Sequence, residues 1–483
     1  IRDVLGSRGL GDVYKRQGGK LMDNQKGKRY MRYFGYGIGA VGLDLSYGLF
    51  YSFLANYLTD VLMMPALFLL ILTPLARIWD GINDPMMGTI VDNTRTRFGK
   101  FRPWIMTGAC LNAVVLTLLF TNPGLEIGSV SLYVYVAVMY VLWGMTNTMA
   151  DIPYWSMVPS FTNDPKERNM VATIARAFSG FGQILVVVLT VSMVKLLGDG
   201  TETSPQGFSR WAMISGCILI FVAFITFMST KEKNDVRKAE KFSFKKAYHT
   251  IKSNDQLLIF MLFAILSNTG WYMTTGLGMY YFKVVVGDSG KMGTFGVFTG
   301  VGQALGLLLI PILTKFMPRR RVIQIALCIA AFGYAGMFLF GHLTGNFIIF
   351  AIFAVIGSIG IGCMFVSQTI MLADIVDYGE YKNGIRSESI TFSMKGFLQK
   401  MAYTLQTIIM FTGLGLSQYD GSLATANSDW SKNTITGMMF IVPAVLIVAS
   451  LIIFTTKYKL DQAKMEEVNR VLAERQKLEA AAE

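Results

Sequence analysis

The sequence has little charge: Asp, Glu, Lys and Arg make up 16% of its 483 residues, where a soluble chain carries roughly 25%. That deficit excludes an ordinary cytosolic enzyme, and the 53% of hydrophobic residues excludes a disordered chain. Histidine is nearly missing. His249 and His342 stand alone, both in expected loops, so no histidine-based metal site or catalytic triad can be assembled. The four cysteines, Cys110, Cys217, Cys328 and Cys363, all lie in apolar runs, which speaks against a disulfide framework and against a zinc site. No nucleophile, metal-ligand set or cofactor motif is visible, so a membrane-embedded enzyme would lack its chemistry and no cofactor is expected.

What the chain does have is long apolar runs. A helix needs about 20 apolar residues to cross a bilayer core. Such stretches are expected at 34–57, 66–91, 104–121, 131–157, 170–194, 211–229, 257–282, 293–313, 322–341, 347–373, 389–416 and 434–456. That gives an all-α membrane protein of twelve spans. If both ends are cytoplasmic, 35 Lys and Arg fall on the inside, and five (Lys195, Arg210, Lys283, Lys291 and Lys432) fall in outside loops. Lys and Arg collect on the cytoplasmic side of membrane proteins. The net charge of +13 is therefore a topology signal, not a nucleic-acid surface.

The expected organisation is a leader over 1–33, a six-helix half over 34–229, a basic amphipathic linker over 230–256, a second six-helix half over 257–456 and a solvated tail over 457–483. Residues 1–21 lack an apolar core, so they are not a secretory signal peptide; we expect them to be a translation artefact, with the native start at Met22. Two six-span halves place a binding site near the midplane between them. A weak repeat supports the division: the basic loop DNTRTRFGKFRPW (92–104) has a counterpart in TKFMPRRRV (314–322).

Ionisable residues inside spans carry the functional signal, since each costs at least about 2.5–3.5 kcal/mol to insert. They are Asp44, Arg77, Asp80, Asp84, Asp151, Arg176, Lys395 and Lys400. Asp80 and Asp84, in ARIWDGINDP, share a helix face at i,i+4 with Arg77 and Asn83 beside them. Two neighbouring carboxylates cannot both stay ionised without a cation between them or a proton on one. The pair is expected to hold Na⁺, Li⁺ or H⁺ with hard oxygen ligands; the alternative is an internal salt-bridge network with Arg77 or Lys400.

In WGMTNTMADIPYWSM (143–157), Thr148, Asp151 and Trp155 fall on one face, and Pro153 is expected to bend or unwind the helix. A carboxylate beside a Trp ring suits a sugar, the acid taking hydroxyls and the ring the C–H face. The alternative is an interfacial Trp155 with Asp151 paired to Arg176. Asp44 is a lone acid that Arg176 can reach, Lys400 is the candidate partner from the second half, and Lys395 can instead snorkel. The charged run ADIVDYGEYKNGIRSES (373–389) reads as a solvated loop.

ARIWDGINDPMMG, DNTRTRFGKFRPW, WGMTNTMADIPYW and ADIVDYGEYKNGIRSES, taken in order, closely resemble the glycoside–pentoside–hexuronide:cation symporter family, most of all its bacterial melibiose-permease branch. The resemblance runs from about Phe34 to the end of span twelve. It implies a major facilitator fold in a bacterial cytoplasmic membrane, a functional monomer, and sugar uptake driven by Na⁺, Li⁺ or H⁺. By motif position Asp80, Asn83, Asp84 and Thr148 look like the cation site. Asp44, Asp151, Trp155 and Arg176 look like the sugar site, and Lys400 like the lysine that links the halves. Three positions depart from that branch: Leu43 replaces a lysine, Asn147 a tyrosine and Lys395 a glutamine. A galactoside-like neutral glycoside is expected. A hexuronide or pentoside, or a lysolipid carried by the same fold, are the alternatives.

Overall fold

The computed structural model describes residues 5–158, 165–230, 252–384 and 388–482. A lipid-embedded backbone must satisfy its own polar groups, and the apolar runs do so as helices. The first is α1, Leu5–Asn56, which ends in a π-helical turn over Tyr57–Val61. Then come α2 (Ala66–Asn93), α3 (Arg102–Leu119), α4 (Val130–Ser156), α5 (Pro165–Leu197) and α6 (Pro205–Ser229). The second half holds α7 (Asp255–Val286), α8 (Lys291–Phe316), α9 (Arg319–His342), α10 (Phe347–Asn383), α11 (Glu388–Leu416) and α12 (Asp429–Lys457). A tail helix, α13 (Gln462–Ala482), follows. Eleven of the described helices are long and apolar enough to cross a membrane; the exceptions are α11, which carries Lys395 and Lys400, and the tail helix α13.

The packing repeats itself. In the first half α1 lies against α5 and α6, and α3 against α4 and α6; in the second, α7 lies against α11 and α12, and α9 against α10 and α12. The halves meet along α2 with α11 and α5 with α8, two contacts related by the same pseudo-symmetry, and along α1 with α7. The α5–α8 seam is close because α8 offers glycines: a Cβ on Gly296 would lie 3.0 Å from that of Val187, and one on Gly300 would lie 2.8 Å from Ile184 Cδ1. Small residues let membrane helices approach without a lost side chain to pack around.

Two expectations about boundaries change. The run 373–389 is not a loop over most of its length, because α10 continues to Asn383 and stops at Gly384 in a left-handed conformation (φ 68°). Its polar residues find partners along that length: Asp374 meets Arg319 at 3.4 Å, Lys382 meets Asp255 at 2.5 Å, and Tyr381 donates to Glu467 of α13 at 2.8 Å. Likewise α4 does not unwind at Pro153 but runs to Ser156. Proline removes the hydrogen bond to the Met149 carbonyl, and Gly108 of α3 packs against that peptide, leaving no room for a side chain (2.8 Å from a Cβ to the Met149 carbonyl carbon). Most of the basic linker, 231–251, lies outside the described residues.

Candidate functional site

The acid pair sits where α2, α4 and α11 converge. Arg77 is one turn before Asp80 and donates to its Oδ2 at 2.6 Å. The guanidinium is held by the hydroxyls of Tyr51 and Tyr140 at 3.2 and 3.4 Å. It also lies 5.7 and 5.5 Å from the ring centres of Tyr51 and Tyr403. A planar guanidinium accepts such stacking and stays charged, so Arg77 is a fixed counter-ion to Asp80. Asp84 is bound differently. Thr148 Oγ1 donates to its Oδ1 at 3.0 Å, and Lys400 of the other half pairs with its Oδ2. The same ammonium lies 3.9 Å from Asp80 Oδ2. Lys400 therefore spans both carboxylates and ties the halves together at this level.

Asn83, between the two acids in sequence on α2, is buried (3% exposed), and its Nδ2 has no partner. A buried amide left unsatisfied costs about 1–3 kcal/mol, so this is where an additional ligand or water is called for. Gly144 of α4 makes room for the arrangement, since a Cβ there would lie 3.2 Å from Asp80 Oδ1. Asp80, Asp84, Thr148 and Lys400 are thus in one cluster, with Asn83 buried on the same helix as the acids, and the network alternative uses the same atoms: Arg77 and Lys400 already neutralise the two acids.

The second cluster lies along α1, α4 and α5. Trp155 donates through Nε1 to Asp151 Oδ1 at 3.0 Å, one turn away on α4. Arg176 acts on Asp151 only at a distance; its guanidinium stacks on Trp155, 3.8 Å from the ring centre. The Arg-stacked face of the indole is therefore not free for a sugar ring. Asp44 lies across from these groups, within electrostatic reach of Asp151 and Arg176. Its helix is close to α5 at Gly182, where a Cβ would meet Asp44 Cβ at 3.3 Å. The mutual placement of α1 and α4 is fixed by a reciprocal clasp. Tyr36 donates to the Tyr154 carbonyl and Tyr154 to the Tyr36 carbonyl, each at 2.7 Å, with the rings stacked at 4.4 Å. From the second half, Lys395 donates to Thr369 Oγ1 at 2.6 Å, an α11-to-α10 bond, and faces the charge of Arg176.

Three features escaped the sequence reading. Ser46, Asn112, Thr146 and Trp143 form a buried polar chain: Trp143 Nε1 donates to Ser46 at 3.3 Å, Ser46 to Asn112 Oδ1 at 2.7 Å, and Asn112 Nδ2 to Thr146 at 3.1 Å. A lone asparagine in the apolar run of α3 was the available signal. Tyr51, Tyr140 and Tyr403 around Arg77 gave none, since tyrosines are frequent in membrane helices. The third is Lys283. Counted among outside-loop lysines, it is instead buried (side chain 9% exposed) and paired with Asp60 at 2.5 Å. Burial is possible because the π-helical end of α7 turns it inward.

Comparison with known proteins bears on the family and the fold. The family described as MFS/sugar transport protein matches residues 35–462. A lactose permease of Leuconostoc lactis is 28% identical over 410 residues, covering 82% of this chain. This chain spans only 63% of that relative's length. An inner membrane symporter, YicJ, of Escherichia coli is 28% identical over 440 residues, covering 91% of this chain and 94% of its own. Among solved structures, the xylose transporter XylE from E. coli superposes with a TM-score of 0.62 at 11% identity, over 92% of this chain and 98% of that one. At that identity the likeness shows the fold alone, and the fold is that of the major facilitators, with twelve helices in two pseudo-symmetric halves.

Proposed function

Since the chain belongs to the MFS/sugar transport protein family, and is a multi-pass sugar transporter rather than an enzyme, we propose that it couples inward movement of Na⁺, Li⁺ or H⁺ to uptake of a small neutral glycoside. The basic loops are assigned to the cytoplasmic face on the strength of their charge. The observation that carries the coupling is the cluster of Asp80 and Asp84 with Thr148 Oγ1 on Asp84, the unpartnered Asn83 amide on the same helix and Lys400 reaching across from the other half. Oxygen donors of two carboxylates and a hydroxyl make a hard site for a monovalent cation.

In this reading Lys400 is the counter-ion of the unloaded carrier. A cation that enters replaces the ammonium on Asp84, while Arg77 stays on Asp80. The released bond is one that holds α2 to α11, so loading changes how the halves meet. The same step leaves Thr148 and Asp84 fixed relative to one another, and Thr148 is one turn before Asp151 on α4. Cation loading thereby orders the helix that presents Asp151 and Trp155 to the substrate. Asp44 and Asp151 supply acceptors for hydroxyls, and a neutral glycoside fits because Arg176 and Lys395 balance the two acids. The relatives' names favour a galactoside-like substrate.

The test is uptake into proteoliposomes of purified protein, with lactose and melibiose offered under imposed Na⁺, Li⁺ or pH gradients. Accumulation above equilibrium with at least one cation supports the reading. Equilibration without accumulation under all three gradients would leave a uniporter.

A further inference from the structure

A second ion pair joins the halves, and none of its partners is a proposed substrate or cation residue. Asp60 stands in the π-helical turn that ends α1, and Lys283 in the π-helical turn that ends α7. Those helices are pseudo-symmetry mates. The sequence repeats accordingly: Asp60 follows Tyr57 in YLTDV as Lys283 follows Tyr280 in YYFKV. A π-turn inserts a residue and re-aims the side chains beyond it, and such turns concentrate at functional positions. Here they turn an acid and a base from equivalent places toward one another.

The pair is dry and fully served. Lys283 Nζ lies 2.5 Å from Asp60 Oδ2 and donates to the Gly421 carbonyl at 3.2 Å. Asn56 donates to Asp60 Oδ2 at 2.7 Å, and Thr59 and Tyr419 donate to Oδ1 at 2.7 and 2.8 Å. The Thr59 and Tyr280 hydroxyls meet at 2.9 Å across the same seam. The loop between α11 and α12 covers it, with Gly421 so close that a Cβ would lie 2.6 Å from Asp60 Oδ1 and 2.7 Å from Asp60 Cα. A carboxylate with no exposed surface costs too much to bury unless its partner is always present. The pair is therefore stable only while the halves touch at this end.

We propose that Asp60 and Lys283 are the gate on the face opposite the basic loops: they join when that face closes and separate, taking up water, when it opens. The assignment of that face as external rests on the reading of the preceding subsection; the gate itself does not require sugar or cation. It acts by favouring the closed arrangement, because either charge alone in that interior disfavours it.

The test uses full-length protein with Ser52→Cys, two turns below Asp60 on α1 and buried (6% exposed), as a reporter labelled by a membrane-impermeant charged thiol reagent. Labelling of the same protein without the reporter is subtracted. Asp60→Asn and Lys283→Gln should each raise the labelling rate by about tenfold or more, as expected for loss of one partner of a buried pair. The exchanged pair, Asp60→Lys with Lys283→Asp, should return it toward the parental rate. Gly421→Ala leaves both charges in place and should raise labelling by prying the loop from Asp60, which keeps the proposal testable if a charge variant fails to fold. Unchanged labelling in the charge variants and Gly421→Ala, or an exchanged pair as open as the single variants, overturns it. Because no substrate or cation enters the assay, loss of the symport reading would leave the result standing.

Discussion

Among the described residues two lysines of the second half pair with acids of the first, and the two contacts share a polarity and differ in exposure. In both the acid comes from the first half and the lysine from the second: Asp84 with Lys400, and Asp60 with Lys283. The side chains of Asp84 and Lys400 are 31% and 26% exposed, whereas those of Asp60 and Lys283 are 0% and 9% exposed. A pair open to the space between the halves can exchange one partner for a mobile ion without leaving a charge stranded in the interior. A dry pair cannot, since removing one charge strands the other in the interior. The first is built for chemistry with a solute, the second for a change of shape. The first half also holds its acids through its own bonds (Arg77 on Asp80, Thr148 on Asp84, Trp155 on Asp151), so the second half contributes counter-charge more than recognition.

The most severe way to break the contrast is at the exchangeable pair. Asp80→Cys and Asp84→Cys should each abolish cation-driven accumulation while substrate exchange across the membrane persists, because the sugar residues on α4 and α5 are intact. Parallel assays of gradient-driven uptake and of counterflow in proteoliposomes separate the two. Full accumulation by both variants would leave the carboxylates as the structural network that Arg77 and Lys400 already complete.

Next in size is recognition. Asp151→Ala should remove detectable glycoside binding, since each charge-assisted hydrogen bond contributes roughly 1.5–3 kcal/mol. Trp155→Ala should weaken binding less. Trp155→Phe should weaken it least, because it deletes the Nε1 bond to Asp151 while keeping a ring beneath Arg176. Binding by equilibrium dialysis ranks the three. Unchanged affinity in Asp151→Ala would make that carboxylate only the anchor of Trp155.

How much of this was legible follows from what an apolar background reveals. Asp80, Asp84, Asp151 and Lys400 stand out because a charge inside a span has few reasons to be there, and their helical spacing sets their faces. Lys283 was not legible, since a lysine at a span's end looks the same whether it points to water or inward. Its partner lies 223 positions away, and nothing local names it. The helix through Asp374, Asp377 and Glu380 was hidden for a related reason: charge density marks exit from the membrane but does not stop a helix whose charges find partners on α9 and α7. The stacking of Arg176 on Trp155, in place of a pairing with Asp151, depends on distances that spacing along one helix cannot supply.

A smaller effect sharpens the exchangeable pair. If a mobile cation replaces Lys400 on Asp84 and so orders α4, glycoside affinity must rise with cation concentration, and cation affinity with glycoside by the same factor, typically 5–150-fold. Calorimetric titration of glycoside at several Na⁺ concentrations at fixed pH, repeated across pH without Na⁺, reads the factor directly. Lys400→Gln should flatten it, because the cation then has no tethered rival to displace. Affinity indifferent to Na⁺, Li⁺ and pH alike would remove coupling from this site.

The smallest expected effect falls on Lys395. It sits on the second half with Thr369 at 2.6 Å and faces Arg176, so two cations and the two acids Asp44 and Asp151 border the same space. A neutral substrate needs no net charge from this set, and a charge on the far wall acts on it only through dipoles. Lys395→Gln should then change the affinity for a neutral galactoside by no more than a few-fold, while leaving its cation dependence in place. An anionic substrate behaves otherwise. A carboxylate that met Lys395 directly would lose a charge-assisted bond of roughly 1.5–3 kcal/mol on substitution, a loss of about tenfold or more in affinity. Competition binding of a neutral galactoside and of the matching uronide to the parent and to Lys395→Gln reads the difference as a ratio of ratios, in which general loosening of α11 cancels. A ratio that moves tenfold against the uronide would identify Lys395 as an anion-binding residue and shift the substrate class to the hexuronides.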